Sequence, residues 1–544
     1  MTGKPETSEK PETLADALRN LVAARPDEPF VKCGGSWLTA SELDRRSDRL
    51  AAGLARRGIT HGDRIAYLVP NRQEFLELFF ACAKLGGVNV TLNYWLRGEF
   101  LHHQLCESGA SMLIADAPGH RAAAPWLADT DVRTVVLLDA DDGTGGADNG
   151  DAETWDRIQF DDLGIDTAPP AAKVVGADPV AMIYTSGTTG LSKGCVLPNG
   201  YYLAAGRALG QAWCRPDERI LTACPLFHAT GQTICLMMAL MCEGSVCFEP
   251  SFSASAFMRR AAEERATFAF GVGPMGMAIL AQPPAPSDTE HSLRLGVFPP
   301  MPEAAQIEFE ERFATPVICE AYGQTECQPI TISGLSGPRK RSTSGRAAPH
   351  LEVKVVDDAG RDLPVGEVGE VVLRPRQPNS MFSGYWRRAE ATVEASRNLW
   401  HHTGDSGYFD ADGFFTFADR KTDSLRRHGE NISSVELESV IAQHEKVARC
   451  AVVAVPSPLG DDDIKACIVC TEGQNLTPEE LFDHCKAGLP YFAIPRYVEV
   501  RDSLPVTNAT ERVQKHVLRA EGITPTTWDY SALGLTVPRD QRRN

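Results

Sequence analysis

The sequence predicts an α/β protein with a large N-terminal domain of doubly wound sheets plus a β-meander or barrel, followed by a small α+β C-terminal domain. Three observations point there. Apolar strand-like runs alternate with helical runs through the first part of the chain, the rhythm of βαβ units on a parallel sheet. Near residue 350 the pattern changes to apolar and polar alternation around turn signals, and after Arg420 it becomes a short mixture of helices and strands. The length of 544 residues also exceeds what one hydrophobic core usually organises.

The elements follow in order. "LADALRNLVAA" and "LDRRSDRLAAGLARRG" carry helical periodicity and end in glycine or proline punctuation, with the extended piece "PFVKC" between them. "DRIAYLVP" reads as a buried strand and "RQEFLELFFACAKLGG" as an amphipathic helix closed by glycine. "GVNVTLN", "SMLIADA" and "TVVLLDA" continue the strands, whereas "DADDGTGGADNGD" (139–151) reads as an acidic surface loop. "LEVKVVDDAGRDLPVGEVGEVVLRP" predicts the meander. The last part offers the helix "VELESVIAQHEKV", the strands "RCAVVAVP" and "KACIVCT", and the helix "TPEELFDHCKAGL" with a capping-box start. A boundary in "DRKTDSLRRHGE" divides the chain into domains 1–420 and 421–544.

Composition narrows the class of function. A net charge of −18, from 72 acidic and 54 basic residues, opposes binding to a phosphate backbone, so nucleic acid is not expected as a partner. The longest apolar run, Ile234–Cys242, is far short of the roughly 20 residues that span a bilayer, and the N-terminus has no apolar signal core. No membrane span and a cytoplasmic location are therefore expected. The fifteen cysteines include no C-x-x-C pair and read as reduced, mostly core thiols.

The chemistry concentrates in "AMIYTSGTTGLSKG", where a strand breaks into Gly187, Gly190 and Gly194. Glycines let backbone amides converge on an anion, and the hydroxyls with Lys193 add donors and positive charge. The spacing fits neither G-x-x-x-x-G-K-[ST] nor G-x-G-x-x-G, which removes the P-loop and Rossmann fingerprints.

This loop is followed, in order, by "PLFHATG" (225–231), "AYGQTE" (321–326), "GEVGEVVLR", "HTGDSGYFDADGFF" (402–415), "DRKTD" and "RHGENISSVELE". With these seven blocks the chain resembles the adenylate-forming superfamily of acyl-CoA synthetases, adenylation domains and luciferases, and within it the carnitine-CoA ligase-like branch. The resemblance spans residues 12–520. It implies an AMP-forming ligase whose small domain is mobile about Arg420. Such an enzyme uses ATP and Mg2+ to adenylate a small or medium organic acid and then passes the acyl group to coenzyme A.

Carried over position by position, the resemblance assigns Thr185, Ser186, Gly187, Thr188, Thr189, Gly190 and Lys193 to the phosphates of ATP. Thr325 and Glu326 would act at the α-phosphate, with Glu326 holding the metal; Tyr322 would lie near adenine, and Asp405 with Arg420 on the ribose. His228 becomes a candidate gate to the substrate pocket. Outside that context Asp405 and Asp410 read as turn formers, Glu326 as a helix-start residue and His228 as a packed or surface histidine.

The chain also departs from the family. Its last motif, commonly "LPKTPTGKIQK", is "LPVTNATERVQK" (504–515), which puts Arg512 where a catalytic lysine usually stands and leaves Lys515 as the alternative. His428 replaces a common glycine or arginine, Thr422 stands at the hinge position, and "GVFPPMP" (296–302) replaces a glycine-rich turn, which two prolines and Phe298 are expected to stiffen and fill and which in the family borders both adenine and the acid pocket. These departures keep two further readings open: activation of nitrite and its transfer to an amine, and a non-catalytic nucleotide-binding protein.

Overall fold

The computed structural model describes residues 11–139, 155–185, 192–420, 424–427, 430–457, 460–505 and 513–538. Two large sheets form its frame. One has eight strands, with Asp156–Gln159, Thr134–Leu137, Met112–Ala115, Arg64–Leu68, Val88–Thr91 and Pro179–Thr185 running parallel in spatial order. It is completed by Lys193–Pro198, antiparallel to Pro179–Thr185, and by Gly384–Tyr385, antiparallel in turn to Lys193–Pro198. The other has seven strands, parallel from Val317–Ile318 to Pro29–Cys33, with antiparallel Leu38–Thr39 at its edge. This is the doubly wound arrangement expected from the strand–helix rhythm.

Helices between the sheets account for the largest core. In Gln73–Lys84 every residue from Phe75 to Ala83 is buried, including Glu77, so the helix expected to be amphipathic is enclosed all round. The Glu77 carboxylate is matched by Arg46 at 3.0 Å and by the Gln73 amide at 3.0 Å, which satisfies an otherwise costly buried charge. Helix Asn199–Trp213 likewise buries Tyr201, Tyr202 and Trp213, and the Trp213 indole N–H donates to Ser333 O at 2.8 Å.

The meander is a four-stranded antiparallel sheet in the order Leu351–Val356, Gly369–Pro375, His401–Phe409, Phe415–Arg420. Beyond it lie a hairpin, Ser424–Arg427 with Glu430–Ser433, and a sheet of Val447–Pro456, Asp462–Cys470, Tyr497–Val500 and Trp528–Asp529. Helices Ser434–Ile441, Pro478–Gly488 and Lys515–Glu521 accompany that sheet, and Thr477 caps the second with a full capping box. All fifteen cysteines are free thiols, buried or half-buried. Among the described residues no helix is long and apolar enough to cross a membrane.

Phe298, in the turn after strand Leu295–Val297, is fully buried and directs its ring into the core, with centroids 5.4 Å from Phe309 and 6.4 Å from Phe257. The backbone of the prolines after it lies against Gly273, whose N–H donates to Pro299 O at 3.0 Å. A Cβ on Gly273 would stand 1.7 Å from Pro300 O, so only glycine can start the helix Gly273–Leu280 at that point.

Candidate active site

The glycine-rich loop joins two antiparallel strands whose ends, Thr185 and Lys193, are cross-strand partners. Ser186, Gly187, Thr188, Thr189 and Gly190 lie outside the described residues. At the far end of the loop, Ser192 is buried and held from three sides. Its backbone N–H donates to Glu436 Oε1 at 2.8 Å, its hydroxyl accepts from Gln104 Nε2 at 3.1 Å, and its carbonyl contacts His103 Nε2 at 3.0 Å. The next residue, Lys193, sets its ammonium over the ring of Tyr385, 4.8 Å from the centroid.

That tyrosine connects the loop to the second block. Thr325 and Glu326 form the turn between strands Ala321–Gln324 and Cys327–Ile332, and both are buried rather than starting an exposed helix. Three hydrogen bonds fix the turn. Tyr201 Oη donates to Thr325 O at 3.0 Å, Phe382 N–H donates to Glu326 O at 2.9 Å, and Tyr385 Oη donates to Glu326 Oε1 at 2.7 Å. A carboxylate and a hydroxyl on consecutive residues of one turn are hard-oxygen donors of the kind Mg2+ takes, so the chemistry of Glu326 and Thr325 fits the metal that the family implies.

The third cluster centres on Asp405, which is 1% exposed. Its Oδ2 accepts from Tyr322 Oη at 2.6 Å and from Gln324 Nε2 at 2.7 Å, while its N–H donates to Thr403 Oγ1 at 3.1 Å. The Tyr322 ring packs against Phe415 and Phe417, with centroids 5.5 and 5.9 Å away. Asp405 is also the cross-strand partner of Arg420. Tyr322, Asp405 and the Arg420 backbone, far apart in sequence, thus meet in one place, with Gln324 added.

A pocket of about 80 Å³ opens where the hairpin at Glu430 faces the first sheet; Thr91, Asn93, Thr185, His228, Glu430 and Glu436 line part of it. Asn93 Nδ2 donates to Glu430 Oε2 at 3.0 Å across the junction. Burial raises the Glu436 carboxyl to about 7, while the Ser192 amide opposes that shift. His228 accepts the Thr230 N–H at Nδ1, 3.2 Å away, and the segment Thr230–Leu236 coils as a π-helix, a form often found at functional sites.

The remaining candidates stand apart. The Lys515 ammonium donates to Ser434 Oγ and pairs with Glu438, each at 2.7 Å, so it braces helix Ser434–Ile441 instead of joining Lys193 and Glu326. Arg512, His428 and Thr422 lie outside the described residues. Sequence reasoning passed over Gln324, Tyr385, Glu430 and Glu436 as functional residues. Gln324, Glu430 and Glu436 sit inside the blocks "AYGQTE" and "RHGENISSVELE", where their polarity was the available signal. Tyr385, in "SGYWRR", carried none.

A hydroxyl-rich loop between two strands, a buried carboxylate at a strand turn and a buried aspartate held by a tyrosine and a glutamine are together the features of an AMP-forming ligase. The particular family follows from comparison: residues 18–386 match the AMP-binding enzyme family and residues 436–510 its C-terminal domain, so the chain belongs to that family. It is 34% identical over 500 residues to a feruloyl-CoA synthase of Amycolatopsis sp, covering 91% of this chain and 96% of that one. It is 32% identical over 523 residues to the crotonobetaine/carnitine–CoA ligase of Salmonella typhimurium, covering 92% and 97%. Among solved structures it resembles the amide bond synthetase McbA of Marinactinospora thermotolerans, with TM-score 0.79, 26% identity and coverage of 93% and 99%. The o-succinylbenzoate CoA synthetase of Bacillus subtilis gives TM-score 0.78, 26% identity and coverage of 93% and 98%.

Proposed function

We propose that this enzyme joins an organic acid to AMP at the expense of ATP and then transfers the acyl group to coenzyme A. In the first step a carboxylate oxygen attacks the α-phosphorus, the bond to the β-phosphate oxygen breaks, and pyrophosphate leaves. In the second the thiolate of coenzyme A attacks the acyl carbon and AMP departs. A carboxylate is a poor electrophile because its leaving group would be oxide, and the mixed anhydride supplies a far better one. The reaction runs in the cytoplasm, where nucleotide and free thiols coexist.

The observation that carries this reading is the convergence of Lys193 and Glu326 on one tyrosine, within a chain that matches its family over residues 18–386 and 436–510. Lys193 neutralises phosphate charge as the new bond forms. Glu326 and Thr325 would hold Mg2+, which would supply positive charge to the phosphate oxygens. Asp405 accepts from the ribose hydroxyls, its orientation fixed by Tyr322 and Gln324. Domain 421–544 turns about Arg420–Asp423, and the pocket between Thr185, His228 and Glu430 receives the acceptor.

The test is pyrophosphate release from ATP and Mg2+ with a panel of aromatic and short aliphatic acids, followed by thioester formation with coenzyme A. Release with several carboxylic acids and thioester with one or more of them is expected. Release with nitrite alone would overturn the acid assignment, and no release with any acid would overturn adenylation.

A further inference from the structure

Tyr385 belongs to none of the motifs that define the site, yet it touches two of the charged groups in it. Its backbone forms the short strand Gly384–Tyr385 at the edge of the eight-stranded sheet, paired directly with Cys195, two residues after Lys193. This places the phenol beside the end of the phosphate loop. The Lys193 ammonium sits over the ring face, 4.8 Å from its centroid, and the hydroxyl donates to Glu326 Oε1 at 2.7 Å. The residue is locked on its other sides as well. Its N–H donates to Thr392 Oγ1 at 2.9 Å, and its ring meets Phe382 edge-on at 5.1 Å.

The two contacts use different parts of one side chain. A ring face attracts a cation through its quadrupole, whereas a phenol O–H donates to an anion. A lysine and a glutamate drawn to one small site attract each other, and once paired each is less available to a ligand of opposite charge. A rigid aromatic ring that offers each its own surface holds both close without joining them.

We propose that Tyr385 is a positioning residue that keeps Lys193 and Glu326 as separate charges, the first for phosphate and the second for the metal. This rests on the phosphate role of Lys193 and the metal role of Glu326 proposed above. The hydroxyl fixes one oxygen of Glu326 and so sets the direction of the carboxylate, while the ring keeps the ammonium from folding onto it. Phe382 N–H and Tyr201 Oη hold the backbone of the same turn, so Tyr385 acts on the Glu326 side chain and the other two on its carrier.

Two variants separate the hydroxyl from the ring. Tyr385→Phe keeps the ring and removes the donor; Tyr385→Leu removes both. Binding of α,β-methylene ATP, which cannot release pyrophosphate, is measured by calorimetry with and without Mg2+, and Mn2+ bound in the presence of that nucleotide is counted by electron paramagnetic resonance. For Tyr385→Phe, metal-free nucleotide affinity should stay within about twofold, while the Mn2+ concentration for half-occupancy rises by about tenfold, the scale of one hydrogen bond to a charged group. For Tyr385→Leu both affinities should fall. Unchanged Mn2+ occupancy in Tyr385→Phe, or an equal loss with and without metal, would overturn the proposal. Tyr385→Phe removes a single oxygen and remains decisive even where Tyr385→Leu fails to fold. Lys193→Ala and Glu326→Gln serve as references: if neither alters nucleotide or metal binding, the underlying assignment fails; if both do and Tyr385→Phe does not, only the positioning role fails.

Discussion

Glu436 is a residue whose replacement should stabilise the enzyme, increasingly as pH rises from 4.5 to about 7. It lies in the small domain, is 8% exposed, and accepts the Ser192 N–H at 2.8 Å. Burial raises its carboxyl from 4.5 to about 7. The folded carboxyl therefore holds its proton more tightly than the unfolded one. The contribution is fully present below pH 4.5 and is lost as pH rises through about 7. At pH 8 a midpoint displaced this far corresponds to a penalty of up to about 3 kcal/mol. Glu436→Gln keeps an acceptor for Ser192 and carries no charge, so it removes the penalty. The groups facing the same space, His103, Glu107, His228 and Glu430, remain in both proteins, and the difference between them isolates position 436. Calorimetric unfolding of both full chains at pH 5 and pH 8 should show a small difference at the lower pH and, at the upper one, a midpoint higher for the variant by about 2–3 °C, the shift that about 3 kcal/mol gives in a chain of 544 residues. Parallel pH profiles would refute the reasoning.

Three further outcomes test the site. Lys193→Ala should cut pyrophosphate release with acid and ATP by at least about tenfold, whereas transfer from synthetic acyl-AMP to coenzyme A, measured by thioester formation, should change much less. Asp405→Ala leaves Tyr322 Oη and Gln324 Nε2 without their shared acceptor, which should raise KM for ATP by about tenfold or more in steady-state assays. Lys515→Ala breaks the contacts to Ser434 and Glu438 and should lower the unfolding midpoint, whereas Arg512→Ala should lower adenylation with an unchanged midpoint. The reverse pattern in both assays would assign adenylation to Lys515.

Much of this was legible in the sequence because it depends on local pattern. Strand runs such as "RIAYL" and "MLIA" fixed the doubly wound frame through apolar continuity, and Thr477 with Glu480 announced a helix start through the capping box later observed. What sequence left open depends on long-range packing. "QEFLELFFACAK" carries Glu74 and Glu77 at helical spacing, and only the closure of two sheets around it explains why Glu77 is inside. Phe298 follows a strand and two prolines come after it, which says nothing about which side of the sheet receives the ring. Tyr385 became visible only when an edge strand from late in the chain paired with the strand that carries Lys193.

The pairing of Asp405 with Arg420 in the meander has a mechanical consequence. Strand Phe415–Arg420 is the last rung before the chain passes to the hairpin at Ser424. A torque applied to the small domain therefore reaches the large one at the place where the nucleotide's sugar is expected to rest. The register of this one pair therefore ties the side chain proposed for the ribose to the strand from which the chain leaves the meander, so a substitution that shifts the register there should be felt in nucleotide binding before it is felt in the core.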